Sequence, residues 1–351
     1  MGSDTSSNPF IQIAFDTGIA ALGLTLMLML MIVVVRLVQI RREKRTTRFL
    51  ERWRPLFMQS IEAIPRGLPR VRRSEWFAFM SLWIQLHESL LGEAKEKLNE
   101  LARRCGMQKV ALRMLEKRSV RDRLLAVAAL GHLKEKSAWM SLVQLVSVEN
   151  SLLSLAAARA IVHIDPQQAG PLLIPLITGR TDWSPGRITA ILKEAGADIV
   201  SRPLTGAILR ASPGQALRLI RYLDVVHSDL AMKTIDEIIE RTKDENVIAA
   251  CLEVMKDPRV VHLVRACLYH RNWHIRTQAA AALGRIGTAE DEQDLVRLLA
   301  DSEWWVRYAA AESLASLPFV GSERLRQIEA EHTEELAKEI LRHVIAEREM
   351  T

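Results

Sequence analysis

The sequence predicts an all-α protein: a right-handed solenoid of stacked helix pairs, preceded by one transmembrane helix. Three observations carry that prediction. Hydrophobic residues make up 49% of the 351 positions but aromatics only 5%, and Leu and Ala dominate, which favours helices over sheets. An uncharged run of nineteen residues, Thr17 to Val35, lies near the start. Similar eleven-residue windows recur along the chain at a step of thirty-one residues, as from Arg276 to Arg307.

Residues 1–16 contain Asp4 and Asp16 and no basic residue; they are expected to form a short extracytoplasmic tail. Residues 17–35, TGIAALGLTLMLMLMIVVV, would be about 28 Å long as a helix, enough to cross a bilayer core. Basic residues follow this run instead of preceding it, so it reads as an uncleaved anchor rather than a signal peptide. Net charge is −2 over residues 1–35, +9 over residues 36–73 and −1 over the rest. The positive-inside rule therefore predicts a single-pass protein of a bacterial-type inner (plasma) membrane, with its N-terminus outside and its solenoid in the cytoplasm.

Residues 36–73 form a basic juxtamembrane segment and linker. Arg36, Arg41, Arg42, Lys44, Arg45 and Arg48 are its membrane-proximal cations. Arg36 to Arg54 is expected to extend along the membrane surface, with Trp53 and Phe57 at the interface. Anionic lipid would attract such a segment by about 1 kcal/mol per basic residue. Setting topology alone is the other reading of the same charges. Pro65, Gly67 and Pro69 break helices in IPRGLPRVRR, Ile64 to Arg73. Ser74 suits the N-cap of the helix that follows. Residues 74–120 are helical but poorly phased and are expected to cap the array.

Residues 121–351 carry the repeats and a closing cap. Arg123 opens RLLAVAALGHL, Ser154 opens SLAAARAIVHI, Pro185 opens PGRITAILKEA and Ala216 opens ALRLIRYLDVV. After one shorter step of twenty-nine, Glu245 opens ENVIAACLEVM, then Arg276 opens RTQAAAALGRI and Arg307 opens RYAAAESLASL. The fourth, eighth and eleventh places are nearly always apolar and share one helical face. The seventh is often small, as in Ala129, Ala160, Cys251, Ala282 and Ser313, which lets neighbouring helices approach. AWMSLVQLV, GPLLIPLIT, RVVHLVRACL and DEQDLVRLL supply second amphipathic helices. A helix pair cannot bury both faces alone, so stacking makes the core. KEILRHVIAER, Lys338 to Arg348, is in phase but more polar, as a closing cap should be.

The pattern Arg-x-x-Ala-Ala-x-x-Leu-Gly of Arg276 to Gly284, with Asp301 and Val306-Arg307 in the next unit, resembles HEAT repeats of the phycobilisome-lyase type. The resemblance covers residues 118–348 and is strongest around 271–317. It implies an α-solenoid and, in most HEAT proteins, a scaffold rather than an enzyme. Similar membrane-anchored HEAT proteins imply an envelope assembly, including ones built around a membrane glycosyltransferase that makes polysaccharide. The lyase-type resemblance also implies an alternative, an enzyme acting on a protein-bound or tetrapyrrole substrate.

Few residues suggest chemistry. Cys267, His270 and His274 have spacings that could suit a metal, but no fourth ligand recurs, and no metal site is expected. HEAT proteins resembling deoxyhypusine hydroxylase hold iron through repeated His-Glu pairs; here there is one, His87-Glu88. Phosphate loops, G-x-S-x-G and H-E-x-x-H are absent from the sequence. The near-neutral array argues against nucleic acid. Cys105, Cys251 and Cys267 lack paired spacing, which fits reducing cytosol. Trp273 and Trp304 occupy the same place in successive repeats, with Trp305 beside the second. They read either as a ladder at inter-repeat turns or as a partner contact. Arg265 and Arg297 match on successive second helices, the ones that usually line a concave face; they read either as a solvated surface or, with the tryptophans, as partner-binding residues. The expectation is a membrane-tethered scaffold, not an enzyme, binding a protein partner without a cofactor.

Overall fold

The computed structural model describes residues 9–65 and 67–350; the side chains of 9–17, 19–21, 38–46 and 349–350 lie outside that description. The described residues contain helices and no strand, as the composition predicts. They divide into two units, residues 1–133 and 134–351.

Unit 1 holds α1 (Pro9–Glu62), α2 (Trp76–Ser89), α3 (Glu93–Arg104), α4 (Met107–Leu115) and α5 (Val120–His132). The first of these departs from expectation. No break separates an apolar helix from a basic segment; α1 runs unbroken through both. Phe49, Trp53 and Phe57 recur every four residues, so they share one helical face. Trp53 and Phe57 are fully buried, packed on Phe79 of α2 with ring centroids 4.8 and 5.1 Å away. The expectation that they lie at a membrane interface is therefore wrong: burying two large aromatics in a protein core competes with the interface and wins. Arg52, on the same turn, forms a 2.7 Å ion pair with Glu75. Glu75, not Ser74, is the N-cap residue of α2, and its carboxylate accepts from the Arg72 N–H. The Trp83 indole donates to the Leu98 carbonyl, joining α2 to α3. Gly106 adopts φ +80°, the left-handed turn between α3 and α4 that favours glycine.

Residues 22–35 of the predicted span, and Leu37 just beyond it, are exposed, each large apolar side chain being 45–66% accessible. Among the described residues no helix is long and apolar enough to cross a membrane. The side chains of residues 17 and 19–21 of the predicted span, and most of the predicted 1–16 tail, lie outside the described residues.

Unit 2 is an array of helix pairs. After α6 (Trp139–Val146), first helices α7 (Ser151–Ile164), α9 (Pro185–Ala195), α11 (Pro213–Ile220), α13 (Glu245–Val254), α15 (Trp273–Ile286) and α17 (Trp304–Ser316) alternate with second helices. The second helices are α8 (Pro166–Gly179), α10 (Ala197–Arg210), α12 (Ser228–Arg241), α14 (Val261–Cys267), α16 (Glu292–Leu298) and α18 (Ser322–Glu331). α19 (Glu335–Met350) closes the unit against α17 and α18. Local chemistry starts the helices where the sequence says. Asn150, Asp165, Asp244 and Asn272 accept backbone N–H bonds as N-caps, and Pro166, Pro185 and Pro213 occupy first turns.

Burial follows the repeat. In α15 the buried residues are Ile275, Ala279, Ala280, Ala282, Leu283 and Ile286. The fourth, seventh, eighth and eleventh places are buried as expected, and so is the fifth. First helices stack: α15 packs on both α13 and α17. A helix with a neighbour on each side buries more than one stripe, and Ala at the fifth and seventh places keeps both neighbours close. Arginines then tie successive repeats together. Arg285 donates to the Leu252 and Glu253 carbonyls at the end of α13, at 2.7 and 3.1 Å. Arg180 does the same for Val148, at 2.8 Å, and Arg218 for Thr178, at 2.6 Å. The Arg285 and Arg218 bonds satisfy carbonyls that a helix C-terminus leaves unpaired, and the Arg180 bond holds the turn that follows α6.

Candidate functional site

The turns leading into α15 and α17 are built by one recurring device. Arg276 forms a two-pronged ion pair with Asp301, each N···O distance 2.7 Å. Its remaining nitrogen donates back to the His270 and Arg271 carbonyls. One repeat later Arg307 donates to the Asp301 and Ser302 carbonyls, at 2.8 and 3.0 Å. Burial pushes the Asp301 carboxyl up, but the Arg276 fork and the Glu303 N–H outweigh it and hold the group below its ordinary value. The fork fixes the α16–α17 turn on α15.

That scaffold presents the tryptophans at successive turns. Trp273, Trp304 and Trp305 are 40%, 44% and 56% exposed, and Tyr269 is exposed beside them in sequence. The Trp273 ring stands edge-on to His274. Trp304 stacks on Tyr308, with centroids 5.1 Å apart, and stands edge-on to Trp305. Among the described residues no ring contact joins Trp273 to Trp304. Each ring instead packs within its own helix and leaves a face to solvent.

The two matched arginines do different work. Arg265 donates to the fully buried Asp291 at 2.6 Å, and Asp291 also accepts from the Thr288 N–H and hydroxyl. Arg265 thus joins two repeats. Arg297 stays largely exposed, beside Asp294 at 3.2 Å and the Tyr269 hydroxyl.

A groove of about 590 Å³ lies along the first helices α11, α13 and α15. Ile220 and Ala249 line it together with Arg221, Asn246, Glu253 and His274. Its origin is visible in the sequence. The repeat step shortens to twenty-nine residues between Ala216 and Glu245, and α11 has only eight residues before a tight 3₁₀ turn, Arg221–Val225. The shorter helix leaves space beside α13. Sequence reasoning offered the tryptophan turns and the second-helix arginines Arg265 and Arg297, and did not single out Arg221, Asn246 and Glu253; the shortened step was the signal that could have found them. A groove whose accessible lining is mostly polar, with the cation Arg221, the anion Glu253 and the Asn246 amide on its walls, can hydrogen-bond an extended protein segment.

The candidate ligands of chemistry lie apart. Cys267 is buried in the core, and burial pushes its thiol up; the same effect pushes Cys251 up to about 12 and Cys105 to about 11. His270 Nδ1 accepts from the Asn272 N–H at 3.1 Å. His87 is buried between Trp83 and His132, with ring centroids 5.0 and 4.5 Å away. Among the described residues, no three His, Cys, Asp or Glu side chains gather as a metal site. Arg36 and Arg48 are exposed on α1, whereas the side chains of Arg41, Arg42, Lys44 and Arg45 lie outside the described residues.

A family model described as HEAT repeats matches residues 233–315, from within α12 into α17. Over that stretch the chain is similar to HEAT repeats; the match does not extend to the lyase type or to an anchor. A search of curated proteins finds no match. Among solved structures, the chain is similar to the crystal structure of an engineered protein, with TM-score 0.32, 14% identity and coverage of 82% of this chain and 87% of that one. It is also similar to a chain in the structure of the Pds5–Scc1 complex, described in connection with cohesin function. There the TM-score is 0.29, identity is 12%, and coverage is 80% of this chain and 55% of that one. At these scores neither likeness carries an argument about function.

Proposed function

We propose that this protein is a membrane-tethered scaffold whose HEAT repeats hold a protein partner at the cytoplasmic face of a bacterial-type inner membrane. It works by binding rather than by catalysis. The observation that carries the tether is the row Leu22 to Leu37. Those side chains are exposed on a helix that continues into the core of unit 1. A contiguous apolar surface of this kind is costly in water and marks a membrane or a partner. The basic segment that follows orients it with residue 36 onward inside. Binding falls to the first-helix groove and the tryptophan turns of unit 2, where large aromatics and an arginine stand exposed together. Tethering raises the local concentration of whatever binds there. The resemblance to anchored HEAT proteins suggests an envelope assembly, with a membrane glycosyltransferase of polysaccharide synthesis as the partner to look for first.

Alkaline extraction of membranes tests the tether: an integral protein stays in the pellet. Purification in mild detergent, followed by mass spectrometry of co-purifying proteins, tests the scaffold. Trp305→Ala and Glu253→Ala should each lower recovery of the partner several-fold while leaving the chain folded and membrane-bound. Unchanged recovery in both variants would remove the groove and the turns from the binding surface.

A further inference from the structure

The turn into α17 carries carboxylates that the same places in α15 lack. We propose that Trp304, Trp305 and these carboxylates take a cationic, arginine-bearing segment of the protein partner. The inference deepens the scaffold reading above and rests on it.

Three observations support it. The first is placement. Positions 304, 308 and 312 are four residues apart and share one face of α17, with Trp305 beside them. Trp304 stacks on Tyr308 with the ring planes 10° apart, and Trp305 stands edge-on to Trp304. Glu303 and Glu312 are exposed at the two ends of this row, and the Tyr308 hydroxyl lies 3.5 Å from Glu347 of α19. Burial, then the charges of Glu312 and Glu347, push that hydroxyl above its ordinary value. It stays neutral, so the charge of the row is that of its carboxylates.

The second is departure from the repeat. One repeat earlier the places of Glu303, Tyr308 and Glu312 hold Asn272, Thr277 and Ala281. α15 keeps its place in the same stack without an acid there, so packing explains neither carboxylate. Two repeats earlier the places of Glu303 and Trp305 hold Arg241 and Lys243, so the charge at these turns changes sign along the array.

The third is the lack of a cation to answer them. Among the described residues neither Glu303 nor Glu312 forms an ion pair. Arg307 is buried and committed to the Asp301 and Ser302 carbonyls, and Arg348 is bonded to the Ala315 and Val320 carbonyls. His343 lies 3.2 Å from Glu347. Residues 301–351 hold eleven acids and six Lys or Arg, a net of −5, whereas residues 74–300 carry +4. An indole face attracts a cation, a guanidinium also stacks flat on it, and a carboxylate beside the ring accepts the guanidinium N–H groups.

The test uses the full chain in non-ionic detergent and a fluorescein-labelled dodecapeptide of alternating Arg and Gly. Anisotropy at low salt should show binding, which high salt abolishes. A peptide of alternating Lys and Gly, equal in charge, should bind about threefold more weakly, because an ammonium does not stack. Trp305→Leu keeps the apolar bulk and should weaken binding of the Arg peptide about threefold. Trp305→Phe keeps a ring and should stay near wild type, which excludes a folding defect as the cause. Glu303→Gln combined with Glu312→Gln should weaken binding at least as much, and Trp273→Leu, at the preceding turn, should leave it unchanged. Equal binding of the Lys peptide, binding that no variant weakens, or equal loss in Trp273→Leu overturns the inference. So does a wild type that does not bind the Arg peptide; a partner recovered in the co-purification above then leaves the scaffold reading standing. Failure of the scaffold reading shows in that co-purification instead, as no partner recovered.

Discussion

Gly284 of α15 lies against Ser313 of α17: a Cβ built on Gly284 would stand 2.9 Å from the Ser313 Cβ and Oγ and 3.0 Å from its Cα. Contacts that short do not occur, so the two helices could not keep this spacing with any side chain at 284. The ninth place of one repeat thus meets the seventh place of the next, which explains why a Leu-Gly pair closes the alanine run of α15. Gly284→Ala should cost about 1–3 kcal/mol by forcing these backbones apart. Gly214→Ala, at a site with nothing within 4 Å, should be neutral or slightly stabilising. Ser313→Gly added to Gly284→Ala should recover part of the loss. Urea unfolding of residues 47–351 measures all three. The fragment has to start upstream of Phe49, because a later start removes the face of α1 that covers Phe79. Equal midpoints for the two glycine variants would mean that α15 and α17 are not in close contact.

Ala282 is fully buried, in the small seventh place, whereas Gln278 lines the groove. Ala282→Leu should therefore overpack the stack and cost about 1–3 kcal/mol, while Gln278→Leu should cost well under half of that. The damage should stay near α13, α15 and α17, because array stability is a sum of local and nearest-neighbour terms. Hydrogen exchange resolves this: faster exchange confined to those helices is the expected result, and faster exchange in α7 to α10 would contradict it.

Glu194 of α9 reaches back to α7, where Arg159 donates at 2.7 Å and His163 lies at 3.0 Å. Burial pushes the Glu194 carboxyl up, but the bonds from His163 and Arg159 outweigh it and bring it down to about 2, from an ordinary 4.5. A carboxyl whose folded value is lowered stabilises fully above its unfolded value. That stabilisation is lost as pH falls from about 4.5 towards 2. Glu194→Gln should cost about 1 kcal/mol at pH 7, modest because solvent screens the pair. The difference from wild type should shrink by pH 3. A gap that stays constant across this range would show that the charge is not what stabilises.

Much of the array was legible in the sequence because a period near thirty-one records one helix pair per turn of the solenoid. Ala126, Leu130 and Leu133 are all buried, as their places predict. The fifth place was not legible. Burial there comes from a second neighbour, and residues as small as Ala280 carry no hydrophobic signal of their own. Trp53 and Phe57 were misread for a related reason: Arg52 and Arg54 flank them, and only the packing of α2 shows which side of α1 is inside. The ion pair of Arg276 with Asp301 and that of Arg265 with Asp291 span twenty-five and twenty-six residues, so no local pattern reveals them. The groove had a legible cause in the shortened step, but its lining comes from three different repeats.

The proposed tether puts the solenoid inside the cell and the start of the anchor outside. Cysteines placed by Ser6→Cys and Ser302→Cys test it most directly. Cys251 and Cys267 are buried and Cys105 is half-buried, with all three thiols pushed up, so background labelling should be low. An impermeant thiol reagent added to intact cells should label the cysteine at position 6 and should reach the one at position 302 only after lysis. Labelling at 302 but not at 6 in intact cells, or recovery of the chain in the soluble fraction, would contradict the account.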